Sequence, residues 1–549
     1  GSGECCQGGC FTQQVGGWSG LWGDVSLVVH DDMFAMQSPS VEMVSLASDG
    51  SSAVVEVSAA IRKCEFDGTG ASLEVLVASA DSPSQAILQQ VLPLATLMKG
   101  LAKGHVRLNM TIPNPQLWSP ASPSLYWAEL KVRRSVNALG DVVIDRHRVR
   151  FGLRNLEIDG AYFILNGARH FMHGCGDDFG YVTEAPPMNR SVYLHRLQTM
   201  KDFGFNYIRL HSHFEVPMYF DVADELGIFV SPALPLADSS NCHDTQLRTW
   251  RAQILLLRNH PSLMDINMGN EYYGDSHHSF YLFPWRFEFY QVAKSMLPKL
   301  HVIDTDGCCY THNDPNQSDV QNRIDDPVVC PVGTNTTCLR NTSDFMTQSF
   351  GYTTPLIYPD MYNPHVGGVP CTDELCLPPK PMISHEMGNF GAFADLPAEI
   401  AALRPTNYRV DMREAHLAQM QKLGLAAHLD QLVRASRAHA YASWKRQVEF
   451  LRLSPAVTGH QWWLFQDWLG AGNGVVDFTI QPKGGALAPH RIRQFVNPVV
   501  ILVENGTLWD SKTRRTVYGS KETIKSNLLV SNFAPTVLTD CNLSWTVTT

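Results

Sequence analysis

Eight apolar strand candidates alternating with helical stretches predict a multidomain α/β and all-β protein built around a (β/α)8 barrel. Two further observations complete the expected architecture. Short β runs recur at regular spacing between residues 36 and 152, ahead of the alternating region, and predict a β-sandwich there. The same rhythm returns after residue 500 and stops within a few strands, and a similar fragment opens the chain, so partial β-sandwich segments are expected at both ends.

Residues 1–35 contain GGWSGLWGDVSLVVH, a turn and a short alternating strand with nothing before it to pair with, as in the tail of a sandwich. The opening GSGECCQGGC has the character of an internal segment of a longer chain. Residues 36–152 supply SSAVVEVSAAI, SLEVLVAS, HVRLNMTI, LYWAELKVRR and DVVIDRHRVRF, separated by Gly, Asp, Ser and Pro. Residues 153–500 carry the barrel's strand candidates, at 169–176, 205–211, 227–232, 263–271, 301–307, 355–362, 381–388 and 458–466. Between them, Leu194, Leu197 and Met200 are spaced for one helix face before Gly204, and Tyr219, Val222, Ala223 and Leu226 for another before Gly227. Both glycines suit helix C-termini. Further helices are expected over 246–258, 280–297 and 429–453. Residues 313–350, rich in Pro, Asp and Asn, replace a regular helix and are expected to form a surface insertion. Residues 501–549 hold only the first strands of another sandwich, whose partner strands must come from elsewhere.

A chain of 549 residues is long enough for roughly three or four units and a large core. Hydrophobic residues at 44%, charged residues at 17% and 12 tryptophans place it among globular, aromatic-rich proteins, not disordered or fibrous ones. A net charge of −10 without basic runs argues against nucleic acid and anionic membranes as partners, and no apolar run is long enough to span a bilayer. Asn-x-Ser/Thr sequons at Asn109, Asn189, Asn316, Asn335, Asn341, Asn505 and Asn542 suit a secreted surface. The 13 cysteines include close pairs, Cys330 with Cys338 and Cys371 with Cys376, that could clip loops. Together they favour an extracellular or lumenal location; free buried cysteines in a cytosolic enzyme are the alternative. The odd count leaves at least one thiol unpaired or bonded to a segment outside the chain.

The stretch PSLMDINMGNEYYGD places Glu271 at the end of the fourth strand candidate, and ISHEMGNF places Glu386 at the end of the seventh. In a barrel of this type both face one mouth. Two carboxylates across a cleft can cleave an acetal, one donating a proton to the leaving oxygen and the other attacking the anomeric carbon. Ordinary carboxylates at loop entrances would satisfy the same topology. His277 and His278 lack the wider ligand pattern of a zinc site, so no metal is expected.

Several motifs in order carry a resemblance. FGLRNLEIDGAYFILNGARHFMHG, MKDFGFNYIRLHSH, YFDVADELGIFV and RNHPSLMDINMGNE are similar in sequence and spacing to the barrel of glycoside hydrolase family 2, which contains β-galactosidases, β-mannosidases and β-glucuronidases. NPQLWSPASPSLYWAEL resembles the last part of that family's immunoglobulin-like domain, and GGWSGLWGDVSL the end of its N-terminal jelly roll. The resemblance implies that Glu271 is the general acid/base and Glu386 the nucleophile of a retaining hydrolase. It implies that Asn270 bonds the sugar 2-hydroxyl, that Arg209 sits by the nucleophile and keeps it ionised, and that Tyr362 donates to the same carboxylate. In GHQWWLFQDW, Trp463 fits the sugar-stacking position, whereas Trp462 alternates with it and suits the core. His211 and His213 are alternative holders of ring hydroxyls, since the alignment around HSH is off by one.

The chain also departs from the family. Asp177 and Asp178 stand in HGCGDDFGY where many family 2 galactosidases have an Asn-Arg-His-type motif. Asp178 could bind a hydroxyl pair, yet an acid there would repel a uronate carboxylate. The nucleophile strand has SHEMG in place of a Ser-Glu-Tyr-Gly pattern. The expected activity is that of an exo-acting retaining β-glycosidase needing no cofactor, acting on a carbohydrate substrate, with β-galactosidase the modal assignment. The expected partners are otherwise a second copy of the chain or the absent terminal segments. The alternatives are a non-catalytic carbohydrate-binding or structural glycoprotein on the same scaffold, and an endo-acting polysaccharide hydrolase.

Overall fold

The computed structural model describes residues 34–544 and positions 25 and 27, leaving aside 64–67, 99–104, 137–139, 179, 182–186, 236–242, 271–284, 308–342, 350–379, 389, 407–409, 454–456, 469–471, 505–520, 522, 524 and 525. Strict alternation builds its first part. In β5 (His105–Pro113) Val106, Leu108, Met110 and Ile112 are buried and the residues between them exposed, as one face of a sheet on a core requires. β5 pairs with β2 (Ser52–Lys63), and β2 with β1 (Phe34–Leu46), all antiparallel. A second antiparallel sheet runs β4 (Ala86–Pro93), β3 (Ala71–Ser79), β8 (Tyr126–Val136) and β9 (Gly140–Phe151). Helix α1 (Leu94–Met98) and the small hairpin of β6 (Trp118–Ser119) and β7 (Ser122–Pro123) lie between these strands in sequence. Inward residues of both sheets share one apolar cluster that includes Val55, Val75, Ile112 and Leu130. β1 and β4, each at an edge of its sheet, escape the sequence pattern. β1 has two register shifts and contains Pro39, and β4 is largely exposed.

The hairpins of β10 (Leu156–Asp159), β11 (Tyr162–Leu165) and β12 (Ala168–His170) lead into eight parallel strands. One sheet holds β15 (Phe229–Ser231), β14 (Tyr207–Leu210), β13 (Met172–Asp177), β20 (Gly459–Trp462), β19 (Met382–Met387) and β18 (Met346–Ser349) in that order. A second pair is β16 (Asp265–Asn267) with β17 (His301–Ile303). Parallel bridges Val230 to Leu263 and Ala233 to Asn267 join β15 to β16. On the far side the Asp344 amide donates to the Val302 carbonyl at 2.8 Å, tying β17 to the segment entering β18. The pairing therefore passes through all eight strands and returns to its start.

Side chains divide between two clusters. Met172, Tyr207, Phe229, Met264, Ile303 and Ile383 pack together with Phe163 of β11 and Trp118 of β6. Their neighbours Cys175, Ile208, Val230, Ile266, Val302 and Trp462 belong instead to the cluster shared with the helices. Those helices include α2 (Arg190–Asp202), α3 (Pro217–Leu226), α4 (His243–Leu257) and α5 (Arg286–Met296), and a long helix spans Leu429–Leu453. Gly227 caps α3 in the left-handed conformation with φ +72°, where a Cβ would also meet the Pro120 backbone.

Two expectations are corrected. The strand that pairs with β19 is Met346–Ser349, inside the segment expected to be a surface insertion; the candidate at 355–362 lies outside the described residues. MTQS is too short and too polar to announce a strand by periodicity. Leu194, expected on the inner face of α2, is exposed, and Tyr193 and Arg196 join Leu197 and Met200 in the buried stripe. Arg196 is buried because its charge is matched, as described below.

The sandwich is fastened to the parallel strands by polar contacts at one edge. Arg150 of β9 donates to Asp221 Oδ1 and Glu225 Oε1 on α3, both at 2.6 Å, and the Trp118 indole donates to the Asp224 carbonyl at 2.8 Å. Asp221, Asp224 and His260 lie close enough to hold a metal ion, but Arg150 also approaches Asp224 at 3.5 Å, so a resident cation already balances this cluster. After the parallel strands, β21 (Val499–Glu504) and β22 (Asn527–Asn532) form an antiparallel pair. None of the described helices is long and apolar enough to cross a membrane.

Candidate active site

All eight strands run the same way, so residues at their C-terminal ends collect on one side. Arg209 is the third residue of β14, Asn270 and Asp306 follow β16 and β17, Glu386 is next to last in β19, and Trp463 follows β20. Arg209 is 1% exposed and joins three of them. Its Nη1 donates to Glu386 Oε1 at 2.7 Å, its Nη2 to Asn270 Oδ1, and its Nε pairs with Asp306 Oδ2. Asn270 and Asp306 are themselves bridged through their backbones.

Glu386 is placed by a local irregularity. The register between β19 and β20 shifts between Ser384 and Met387, and Glu386 takes a left-handed φ of +43°. An extra residue in one strand re-aims the side chain at that point, and such strain in a non-glycine residue persists only where its surroundings over-determine it. Here they do. The following Gly388 carbonyl accepts from the buried Trp444 indole at 2.5 Å, and the Trp463 amide donates to the Met387 carbonyl at 3.0 Å.

A second cation mirrors Arg209. His385 Nδ1 lies 3.1 Å from Asp306 Oδ1 and 3.3 Å from Gln461 Oε1, and its Nε2 lies 3.5 Å from Glu386 Oε1. Burial disfavours the imidazolium, but the carboxylates of Asp306 and Glu386 outweigh it and raise His385 to about 9. Burial likewise opposes the charge of Asp306, yet Arg209 and His385 hold its carboxyl well below the usual range. Two cations and two carboxylates thus balance in a water-poor interior. Gly307 makes room for them, since a Cβ there would fall 1.8 Å from His385 Nε2. Beneath them, Gln461 donates to the Tyr207 hydroxyl at 2.9 Å, and Ser231 to Asp265 Oδ2 at 2.7 Å.

His211 completes the group around Glu386. Its Nε2 is 3.7 Å from Glu386 Oε1 and its Nδ1 is 2.8 Å from Asp178 Oδ1. Arg209, His385 and His211 all address Oε1, so Oε2 takes none of these three contacts. His213, the alternative to His211, is turned elsewhere: its Nδ1 lies 3.1 Å from the His211 carbonyl and its Nε2 3.7 Å from Glu215 Oε1. Asp177 is likewise engaged. Arg196 reaches both its oxygens, at 2.8 and 2.5 Å, and the Tyr219 hydroxyl donates to it at 3.1 Å. Trp463 is half-buried with its ring 5.4 Å from Trp468, whereas Trp462 stacks on Trp444 at 4.7 Å inside the core, as its alternation with Trp463 suggested. Glu271 and Tyr362 lie outside the described residues, as do His277, His278, Cys330, Cys338, Cys371 and Cys376.

Asp306 and His385 are absent from the sequence-based site. The signal for His385 was its departure from the expected nucleophile strand; Asp306 stands in HVIDTDG, where nothing but its position at a strand end distinguishes it from Asp304.

Residues 41–154 match the model of glycosyl hydrolases family 2. A putative β-glucuronidase of Formosa agariphila is 28% identical over 235 residues, covering 40% of this chain and 21% of its own. The chain is similar to glycoside hydrolase family 2. A β-galactosidase of Priestia megaterium is 24% identical over 331 residues, 56% of this chain and 30% of that protein. In fold, the β-glucuronidase of Parabacteroides merdae superposes with a TM-score of 0.56 at 19% identity, covering 87% of this chain and 54% of its own. The chain therefore spans about half the length of this structural neighbour and less of the two curated relatives. The shared fold is multidomain and β-rich.

Proposed function

We propose that this protein is a retaining exo-β-glycosidase of the family 2 type, with Glu386 as nucleophile and Glu271 as general acid/base. The observation that carries the reading is the Arg209 contact with Glu386 Oε1 at 2.7 Å, made while its other arms engage Asn270 and Asp306. A carboxylate held through one oxygen by fixed cations presents the other, Oε2, to an anomeric carbon. Displacement forms the Glu386 glycosyl ester and releases the alcohol, which takes a proton from Glu271; water activated by the same residue then cleaves the ester. Asn270, next to Glu271 in the chain, is turned to meet the sugar 2-hydroxyl, and Trp463 offers an apolar ring for a sugar face.

The finer architecture belongs to the same proposal. The eight parallel strands form a (β/α)8 barrel, residues 36–152 an immunoglobulin-like domain, and residues 501–549 the start of a further sandwich. Asp178, held by His211, faces the sugar and disfavours a uronate, which keeps β-galactosidase ahead of β-glucuronidase even though relatives of both kinds are found. The protein is secreted or lumenal, as its sequons suggest. A fluorinated glycosyl donor tests the assignment directly: the label is expected on Glu386, and labelling of another residue would overturn it. A panel of aryl β-glycosides differing only in the sugar names the substrate.

A further inference from the structure

A row of buried polar side chains crosses the interior of the ring of parallel strands and ends on His385. Asp265 of β16, Ser231 of β15, Tyr207 of β14 and Gln461 of β20 are each fully buried, and no step of the proposed mechanism uses them. Polar groups in such a core cost free energy unless each is bonded. Here the bonds run in one direction. His385 Nδ1 faces Gln461 Oε1 at 3.3 Å, Gln461 Nε2 donates to the Tyr207 hydroxyl at 2.9 Å, Tyr207 is bonded in turn to Ser231, and Ser231 donates to Asp265 Oδ2 at 2.7 Å. The one Ser231 hydroxyl proton goes to Asp265, so Tyr207 donates to Ser231 and accepts from Gln461. That fixes which end of the Gln461 amide meets His385.

The consequence lies at the imidazole. Gln461 Oε1 and Asp306 Oδ1, the latter 3.1 Å away, are both acceptors at Nδ1, so that nitrogen keeps its proton and titration is confined to Nε2. Nε2 lies 3.5 Å from Glu386 Oε1. Charged, the ring attracts the nucleophile; neutral, it turns a lone pair toward a carboxylate and repels it. Arg209 of β14 also faces His385, and Thr347 of β18 acts on it through Asp306. Burial pushes the Asp265 carboxyl and the Tyr207 hydroxyl well above their usual ranges, so the row stays uncharged and leaves the balance of two cations and two carboxylates intact.

We propose that Tyr207, Ser231 and Asp265, acting through Gln461, are positioning residues for the nucleophile, because they hold the His385 imidazole with its Nε2 toward Glu386 Oε1. Without the Tyr207 hydroxyl the Gln461 amide can turn its NH2 group toward Nδ1, which weakens the imidazolium and with it the second cation on Glu386. The inference rests on the glycosidase reading for what Glu386 does, and its test separates the two.

The test reads His385 directly and through turnover. In the full chain carrying isotope-labelled histidine, the His385 NMR signal is identified by its absence from His385→Gln and followed with pH. The wild-type midpoint is expected at about 9, and those of Tyr207→Phe and Ser231→Ala about half a pH unit or more below it. Ser384→Ala deletes another buried hydroxyl, on β19, that has no hydrogen-bond partner among the described residues, and is expected to leave the midpoint in place. On dinitrophenyl β-galactoside, whose leaving group needs no proton donor, the alkaline limb of kcat/KM is expected to move to lower pH in the same two variants, with kcat reduced about fivefold and KM little changed. Ser231→Ala, three contacts from His385, carries the test if Tyr207→Phe does not fold. A midpoint unmoved by both substitutions, a midpoint moved equally by Ser384→Ala, or an unchanged alkaline limb in a hydrolysing protein would each overturn the positioning role. A protein inert toward every aryl glycoside whose His385 midpoint still falls in the two variants would retain the row's hold on His385 and lose the glycosidase reading.

Discussion

Arg209 and Asp306 are paired through the arginine Nε inside the ring of parallel strands, and this pairing orients the guanidinium so that Nη1 meets Glu386. The connection from Asp306 to Glu386 runs through Arg209 and His385, each of which contacts both carboxylates.

Glu386→Gln is expected to remove turnover, lowering kcat by about a thousandfold or more, equivalent to about 4 kcal/mol of barrier. Steady-state kinetics on an activated aryl glycoside checks this, with circular dichroism to confirm folding. Normal hydrolysis by the variant sinks the nucleophile assignment.

Glu271→Ala removes the proton donor, so the loss should depend on the leaving group. Dinitrophenyl glycosides are expected to retain much of their glycosylation rate, and alkyl or sugar leaving groups to lose most of it. An equal loss across a leaving-group series would argue for a structural role instead.

Arg209→Met leaves Asp306 and Glu386 buried with His385 in place of two shared cations. Breaking a buried pair from one side typically costs about 3–5 kcal/mol, so a lower urea midpoint is expected along with lost activity. Adding Asp306→Asn should recover part of the stability and none of the activity, a non-additivity that a double-mutant cycle measures.

His385 gives an alkaline limb. Its folded value is raised from 6.5 to about 9, so its contribution is complete below about 6.5 and is lost as pH rises through about 9. The shift corresponds to about 3 kcal/mol. Asp306 works in the opposite direction: its lowered value means that its contribution is present above the unfolded carboxylate value of about 4 and is lost as pH falls. Unfolding free energy measured from pH 7 to 10 should fall in the wild type and stay nearly flat in His385→Gln. Parallel curves for the two proteins would refute the charged histidine.

Asn109 and Asn542 are exposed, so expression through a secretory pathway should attach glycans to them that an endoglycosidase removes with a visible mass shift. Asn189 is exposed as well, but its side chain accepts from the Ser191 amide and caps α2, and its modification should loosen that helix end. Absence of glycan at all sequons would remove the main support for an extracellular location.

What the sequence determined by itself is local. Glu386 was legible as a carboxylate at a strand end, and Arg209 through the resemblance of the motif around it to a known family; the buried face of α3 and its Gly227 cap were legible from short-range periodicity. The inner face of α2 was only partly so, since the charge that lets Arg196 be buried is supplied by Asp177, outside the helix. The strand Met346–Ser349 was hidden because four residues cannot display a period, and its place is set by β19 beside it. The choice of His211 over His213, the engagement of Asp177 and the entry of Asp306 and His385 were decided by tertiary structure alone. Each depends on which charges from distant strands meet in a common interior, and electrostatic balance among groups remote in the chain leaves no periodic trace along it.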